Sequence, residues 1–387
     1  MRKIAYSTRY GFMLAVSILL LTGCWDRREV NDLALIIATG IDLGENNQVA
    51  VTIQVFIPSP SGGSQEGNGQ GNIFLLMSSG STLSEALSEL QKKLPRSFFW
   101  GHSKIYVLGE ALAKRGFAEE LDFLWRDVEP REESKVLIAE GSARELMKLV
   151  NEQNTIEIIV KMAKSRNLQK FTLTEVMKKT ASSAKACILP RITNMVVMSG
   201  KKQSGVLSIG GFSVIKQEKM VADMDKGDFD SLNRLYNLPT YSTITIFPEN
   251  KTNPITIGLK GSKFHLEPSI QGEKWKLKIK FKADGYIEQN TTTIDLFSPK
   301  DQLRRLEANV NQELSAEILK LIKHSQQRWN ADILGSADSF RRHYPMEWKT
   351  VNWDERYKKL EVSVETDCRL RRAGISDLQQ KMLHKKE

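Results

Sequence analysis

The most reactive group whose surroundings suggest a use is the thiol of Cys24, which closes the stretch Leu21-Thr22-Gly23-Cys24. A thiol is the one natural side chain nucleophilic enough to form a thioether with a lipid donor. The small residues Thr22 and Gly23 leave room for a peptidase to approach just ahead of it. Upstream, Arg2, Lys3 and Arg9 make a positive start, and Gly11 to Leu21 is almost wholly apolar, Ser17 being the main exception. This is the layout of a secretory leader. The apolar run is shorter than the roughly 20 residues that a membrane-crossing helix needs.

Leu-Thr-Gly-Cys resembles a bacterial lipobox, in which the cysteine receives a diacylglyceryl group and the chain is cut just before it. The expectation is cleavage between Gly23 and Cys24, with residues 1–23 as the leader. An ordinary signal peptide carrying a chance cysteine is the alternative. Two acyl chains hold a protein firmly to a bilayer, since each buried methylene contributes about 0.8 kcal/mol and a single chain is marginal. Trp25 next to the anchor suits the headgroup zone. The mixed charges of Asp26, Arg27, Arg28 and Glu29 fit hydrogen bonding to headgroups or to a membrane partner, and a solvated turn accounts for them equally.

Other chemistry is sparse. The five histidines, at 102, 265, 324, 343 and 384, have no metal-ligand spacing, and no metal ligand or cofactor is assigned. No His-Glu-x-x-His, phosphate-binding loop, nucleophile elbow or dinucleotide fingerprint occurs, so no catalytic residue is assigned and a non-enzymatic protein is expected. His102, after Gly101 at the mouth of a strand, is the best polar candidate for a local function; a satisfied structural histidine is the plainer reading. Once Cys24 is acylated, Cys187 and Cys368 are the remaining thiols. They are too few for a disulfide scaffold, although an oxidising compartment permits one bond between them.

The 387 residues carry a formal charge of +10; loss of Arg2, Lys3 and Arg9 with the leader leaves +7. Lysines on solvated sheet faces account for this, as does attraction to anionic lipid or wall polymer. Nucleic acid is not an expected partner, because no finger spacing, recognition helix or aromatic-basic motif occurs. A chain of this length exceeds one core.

The pattern predicts an α+β, multidomain fold with mixed β-sheets and a C-terminal sheet packed by a long helix. An N-terminal mixed α/β domain is expected over 24–200. In it Val49, Val51, Ile53, Val55 and Ile57 point one way, and Ala50, Thr52 and Gln54 the other. Pro58 to Gly71 reads as a mobile loop, Thr82 to Glu85 as a capping box, and 151–185 as helical and basic. A small β-rich middle domain is expected over 201–253, with a bend at Gly210-Gly211 and an acidic, irregular stretch from Met220 to Asp230. The C-terminal α+β domain spans 254–376, followed by a charged tail over 377–387. There Trp275 to Lys282 alternates apolar residues with lysines. A helix capped at Ser298-Pro299 carries the stripe Leu303, Leu306, Val310, Leu314, Ile318 and Leu321. The final strand, Leu360 to Arg371, places Cys368 on its buried side.

Cys24-Trp25-Asp26-Arg27-Arg28-Glu29-Val30-Asn31-Asp32 resembles the start of the mature C-subunit lipoproteins of endospore nutrient germinant receptors, the Ger(x)C family. Phe99-Trp100-Gly101-His102, Leu121 to Asp127, Trp329 to Gly335, Tyr344 to Trp348 and Trp353 continue the likeness, whereas residues 217–260 match less well. The resemblance implies a three-domain lipoprotein, lipid-anchored through Cys24 on the outer face of the spore inner membrane. Its implied partners are a receptor A subunit and a polytopic B subunit in that membrane. It carries over no catalytic residues, and Trp25, Asp26, Arg27, Arg28 and Glu29 only as motif positions. The expected function is that of a non-enzymatic receptor subunit needed for nutrient-triggered germination. The alternative is an envelope lipoprotein that itself binds a small nutrient and presents it to a transporter-like subunit.

Overall fold

The computed structural model describes residues 32–58, 72–126, 133–149, 171–199, 202–236, 242–247, 253–292 and 300–371. The expectations for 1–31, for most of the Pro58–Gly71 loop, for 151–170, for the Ser298-Pro299 cap and for the tail concern residues outside these ranges.

Strands β1 (Leu33–Leu43), β2 (Val49–Ile57) and β3 (Asn72–Gly80) form an antiparallel meander. Helix α1 (Leu83–Gln91) starts where Thr82 Oγ1 accepts the Glu85 N–H at 3.2 Å, and the Glu85 carboxylate accepts the Ser81 N–H at 2.6 Å. One donor of the first turn and one just ahead of the cap are thereby satisfied. The chain continues through β4 (Ser97–Phe99), β5 (Ile105–Leu108), α2 (Glu110–Arg115), α3 (Ala118–Arg126), β6 (Lys135–Ala139), α4 (Ala143–Leu149) and α5 (Leu173–Thr180). Strands β7 (Ala186–Ser199), β8 (Lys202–Lys216) and β9 (Lys219–Asp223) follow. Together they make a nine-stranded sheet in the order β3-β2-β1-β5-β6-β7-β8-β9, with β4 also beside β1. The centre, β1-β5-β6-β7, is parallel, and antiparallel hairpins extend it on both sides.

Both faces of this sheet are covered. Tyr106, Leu108, Val136 and Ile138 point toward α1, α2, α3 and α5, while Ile105, Val107, Leu137 and Ala139 point toward Ala143, Leu146 and Met147 of α4. Thr52 and Gln54 are consequently buried as well as their apolar neighbours. A parallel centre requires this, because its crossover helices lie on both faces.

The second sheet has the order β10-β11-β12-β13, from β10 (Ser242–Ile246), β11 (Ile255–Gln271), β12 (Lys274–Asn290) and β13 (Glu361–Arg371). Strands β10, β11 and β12 are antiparallel, but β13 runs parallel to β12. The parallel crossover contains α7 (Lys300–Gln327), α8 (Ser336–His343), α9 (Pro345–Trp348) and α10 (Trp353–Lys358). Trp275, Leu277, Ile279 and Phe281 are buried on one face of β12. On its other face Lys280 meets Glu267 at 2.8 Å, and Lys278 meets Glu365. The lysine row is thus partly neutralised by neighbouring strands, which leaves little of it to attract a ligand.

The stretch 201–253 does not form a unit of its own. β8 pairs with β7 along its length, and β9 is the edge of the first sheet. Helix α6 (Lys226–Tyr236) then leads to β10 of the second. Met220 to Asp230 is therefore regular, ending one strand and starting one helix, with Met220 buried. The bend at Gly210-Gly211 coincides with the register shift at Arg191/Ile192. One apolar cluster joins Ala186, Ile188, Phe212 and Val214 of the first sheet to Ile257, Ile279 and the α7 stripe of the second.

Helix α7 carries a second row beside that stripe. Glu307 accepts the Leu370 N–H at 2.8 Å, and Ser315 donates to the Val364 carbonyl at 3.1 Å. Between them the Asn311 amide accepts the Cys368 N–H at 2.7 Å and donates to the Cys368 carbonyl at 3.1 Å. These side chains stand where a further strand would hydrogen-bond, and they close the β13 edge. Replacing Asn311 by Leu should cost about 1–3 kcal/mol, because one partly buried donor and one acceptor lose their partners. Urea unfolding should show a lower midpoint with unchanged slope, and Asn311→Asp, which keeps the acceptor alone, should fall between the two.

Candidate functional site

In sheets with a parallel centre, the carboxyl ends of the strands are the usual place for a site. Here β1, β5 and β6 deliver Asp42, Glu110 and Glu140 to that end, and Arg191 on β7 lies beside Ile138. Arg191 reaches Asp223 at 2.9 Å, Glu140 at 3.3 Å and Glu110 at 3.4 Å. Lys114 adds a second cation to Glu110 at 2.5 Å, and the Gly141 N–H donates to Glu110 at 3.1 Å. The Lys114 and Gly141 hydrogen bonds, with Arg191 a smaller cause, hold the Glu110 carboxyl below its usual range.

Asp42 does different work. Its carboxylate accepts the N–H groups of Ala143 and Arg144, each at 2.8 Å, and the Ser142 hydroxyl at 3.2 Å. It thus caps α4 from a distant part of the chain. Gly109 makes room, since a Cβ there would stand 2.0 Å from the Asp42 oxygen. Burial pushes the Asp42 carboxyl up, and the donated N–H groups oppose that shift.

This arrangement holds elements in place. Ser213 donates to Asp223 at 2.7 Å, and Ser142 to Asp42, but no imidazole stands between hydroxyl and carboxylate. Neither pair is a serine–histidine–acid relay. An open cleft of about 310 Å³ lies near the α2–α3 and β8–β9 turns, lined by Asn47, Arg115, Glu120, Gln217 and Lys219 among others. It is at the bottom of the usual size range for ligand pockets. Its Arg115 and Glu120 side chains are already paired with each other.

Of the sequence-assigned positions, Gly23, Cys24, Trp25, Asp26, Arg27, Arg28 and Glu29 lie outside the described residues. His102 is exposed at the end of a single 3-10 turn, its ring edge-on to Phe99 with centroids 5.7 Å apart. The Phe99 ring also lies over Gly101, where a Cβ would meet it at 2.6 Å, and Trp100 is buried. Phe99-Trp100-Gly101-His102 is thus a packing device. Asp332 in the later motif is buried and accepts the N–H groups of Ser336 at 3.0 Å and Ala337 at 2.7 Å, capping α8. Trp348 and Trp353 join Trp275, Phe340, Tyr344 and Tyr357 in one aromatic cluster. Cys187 and Cys368 are free, buried thiols in different apolar clusters, and burial pushes each up to about 12. They are therefore inert at neutral pH.

The Arg191 cluster was not legible in sequence, because its members come from four separate segments. Arg191→Gln should destabilise the fold by about 2 kcal/mol at neutral pH, less than for a fully buried pair because these groups keep partial contact with solvent, Glu140 most of all. An acid held below its usual range stabilises the fold above its unfolded pKa and loses that contribution as pH falls through its folded value. Lys114 and Gly141 are the main causes of the lowered Glu110 carboxyl and remain in the variant, so only the smaller Arg191 share of the gap should be lost as the solution is acidified below about pH 4. Urea midpoints across that range are the check; a gap independent of pH would show that the guanidinium acts by packing.

Two family models match the chain: the spore germination protein N-terminal domain over residues 26–194, and the spore germination B3/GerAC-like C-terminal region over residues 210–374. The putative spore germination protein YfkR of Bacillus subtilis is 25% identical over 384 residues, covering 97% of this chain and 98% of its own. Spore germination protein KC of the same organism is 24% identical, covering 94% of this chain and 95% of its own. The crystal structure of the GerBC protein shares the fold, with a TM-score of 0.55 and 20% identity over 86% of this chain and 96% of that one. Among the described residues no helix is long and apolar enough to cross a membrane. With both family models in sequence order and the Ger(x)C motifs in place, the chain belongs to the GerAC/GerBC family of spore germination proteins.

Proposed function

We propose that this protein is a non-enzymatic, lipid-anchored subunit of a nutrient germinant receptor, held through Cys24 to the outer face of the spore inner membrane. The observation that carries the reading is an adjacency. The N-terminal family model begins at residue 26, two residues after the cysteine of a lipobox-like sequence. A diacylated cysteine there places the folded body directly against the bilayer, since few residues separate Cys24 from β1. Its partners are then the A and B subunits in the same membrane. The Arg191 cluster and the buried aspartates supply rigidity for such an assembly rather than chemistry.

Deleting the gene should abolish or weaken germination in response to particular nutrients while sporulation proceeds normally. Wild-type germination with every nutrient would refute the assignment. Mass spectrometry of the native protein should find an amino terminus at Cys24 bearing a diacylglyceryl thioether. A chain still carrying residues 1–23 with a free thiol would refute the anchor while leaving the family assignment intact.

A further inference from the structure

Sequence spacing assigns no metal ligand, yet the fold brings three donors together from segments almost 100 residues apart. Asp225 precedes α6, Asp228 lies in its first turn, and His324 lies in the last turn of α7. One ligand atom from each lies within 4.8 Å of the other two. His324 Nδ1 stands 2.9 Å and 2.8 Å from the two Asp228 oxygens.

The Asp228 side chain is 3% exposed. Among the described residues, the His324 nitrogen is the sole hydrogen-bond partner of its carboxylate. One N–H carries one hydrogen, whereas an ionised carboxylate offers about four acceptor sites. A buried anion served so thinly is costly unless a cation completes it. Asp225 commits one oxygen to the Asp228 N–H at 2.9 Å, which leaves its second oxygen for a ligand.

We propose that Asp225, Asp228 and His324 bind a transition-metal dication of the zinc class, which clamps α6 to α7. An imidazole nitrogen with two carboxylates suits zinc, and disfavours calcium and magnesium, which take oxygen ligands. Binding replaces the proton on His324 Nδ1 by the metal. Where the imidazole is doubly protonated, one proton is released to solvent; where it is neutral, the proton moves to Nε2. Because α6 joins the last strand of the first sheet to the first strand of the second, the ion would fasten the junction between them. The proposal is independent of the receptor assignment.

Calorimetric titration of the metal-stripped full chain in detergent with zinc chloride should show one saturable site, with calcium and magnesium giving none. Cobalt in its place should give visible d–d absorption. His324→Gln should weaken zinc binding more than about 100-fold, beyond what loss of an outer-shell partner costs. Asp225→Asn guards against a folding artefact, since Asp225 is exposed and asparagine still caps the helix. It should weaken zinc binding in the same way. Absence of saturable zinc binding by the wild-type chain, unchanged binding by both variants, or equal affinity for calcium would overturn the proposal.

Discussion

Helix α7 presents two adjoining rows of side chains, and the second half of the molecule depends on both. Leu306, Val310, Leu314, Ile318 and Leu321 are buried in the cluster that both sheets share. Glu307, Asn311 and Ser315, four residues apart, hold the outer backbone of β13. Spacing of three and four along a helix is what allows one element to serve both purposes. Without the polar row, β13 would present an open edge to any extended chain. Without the apolar row, the two sheets would lose a large part of their common core.

Buried carboxylates show the same economy. Asp42 and Asp332 lie in different halves, yet each caps a helix outside its own element. A helix N-terminus provides free N–H groups and a positive dipole end, so a buried aspartate finds there the donors that burial demands. The segments that carry the family likeness resolve in a similar way. Gly101 makes room for the Phe99 ring, Asp332 fixes α8, and Trp353 sits amid stacked aromatics. They specify an architecture.

Local features were legible in the sequence because their causes are local. The Thr82 cap, the α7 stripe, the alternation from Trp275 to Phe281 and the buried side of β13 all follow from periodicity and side-chain type. Composition does not reveal pairing partners, so nothing in 201–253 itself indicates that β8 and β9 complete the first sheet. Burial of Thr52 and Gln54 depends on α4, which lies some ninety residues further along. The convergence on Arg191 and the approach of His324 to Asp228 are products of topology. No spacing rule within one segment could have indicated them.

The parallel pairing of β12 with β13 has a consequence for the order of events in folding. Some seventy residues, including four helices, intervene between those partners. The first sheet can assemble from sequence ending at Asp223, whereas the second must wait for Arg371. A chain delivered amino end first would therefore hold a finished half beside an unfinished one, with the inner face of β12 awaiting its cover. Contacts so distant in sequence form slowly, so a chaperone acting on this protein would meet its client at the carboxyl half.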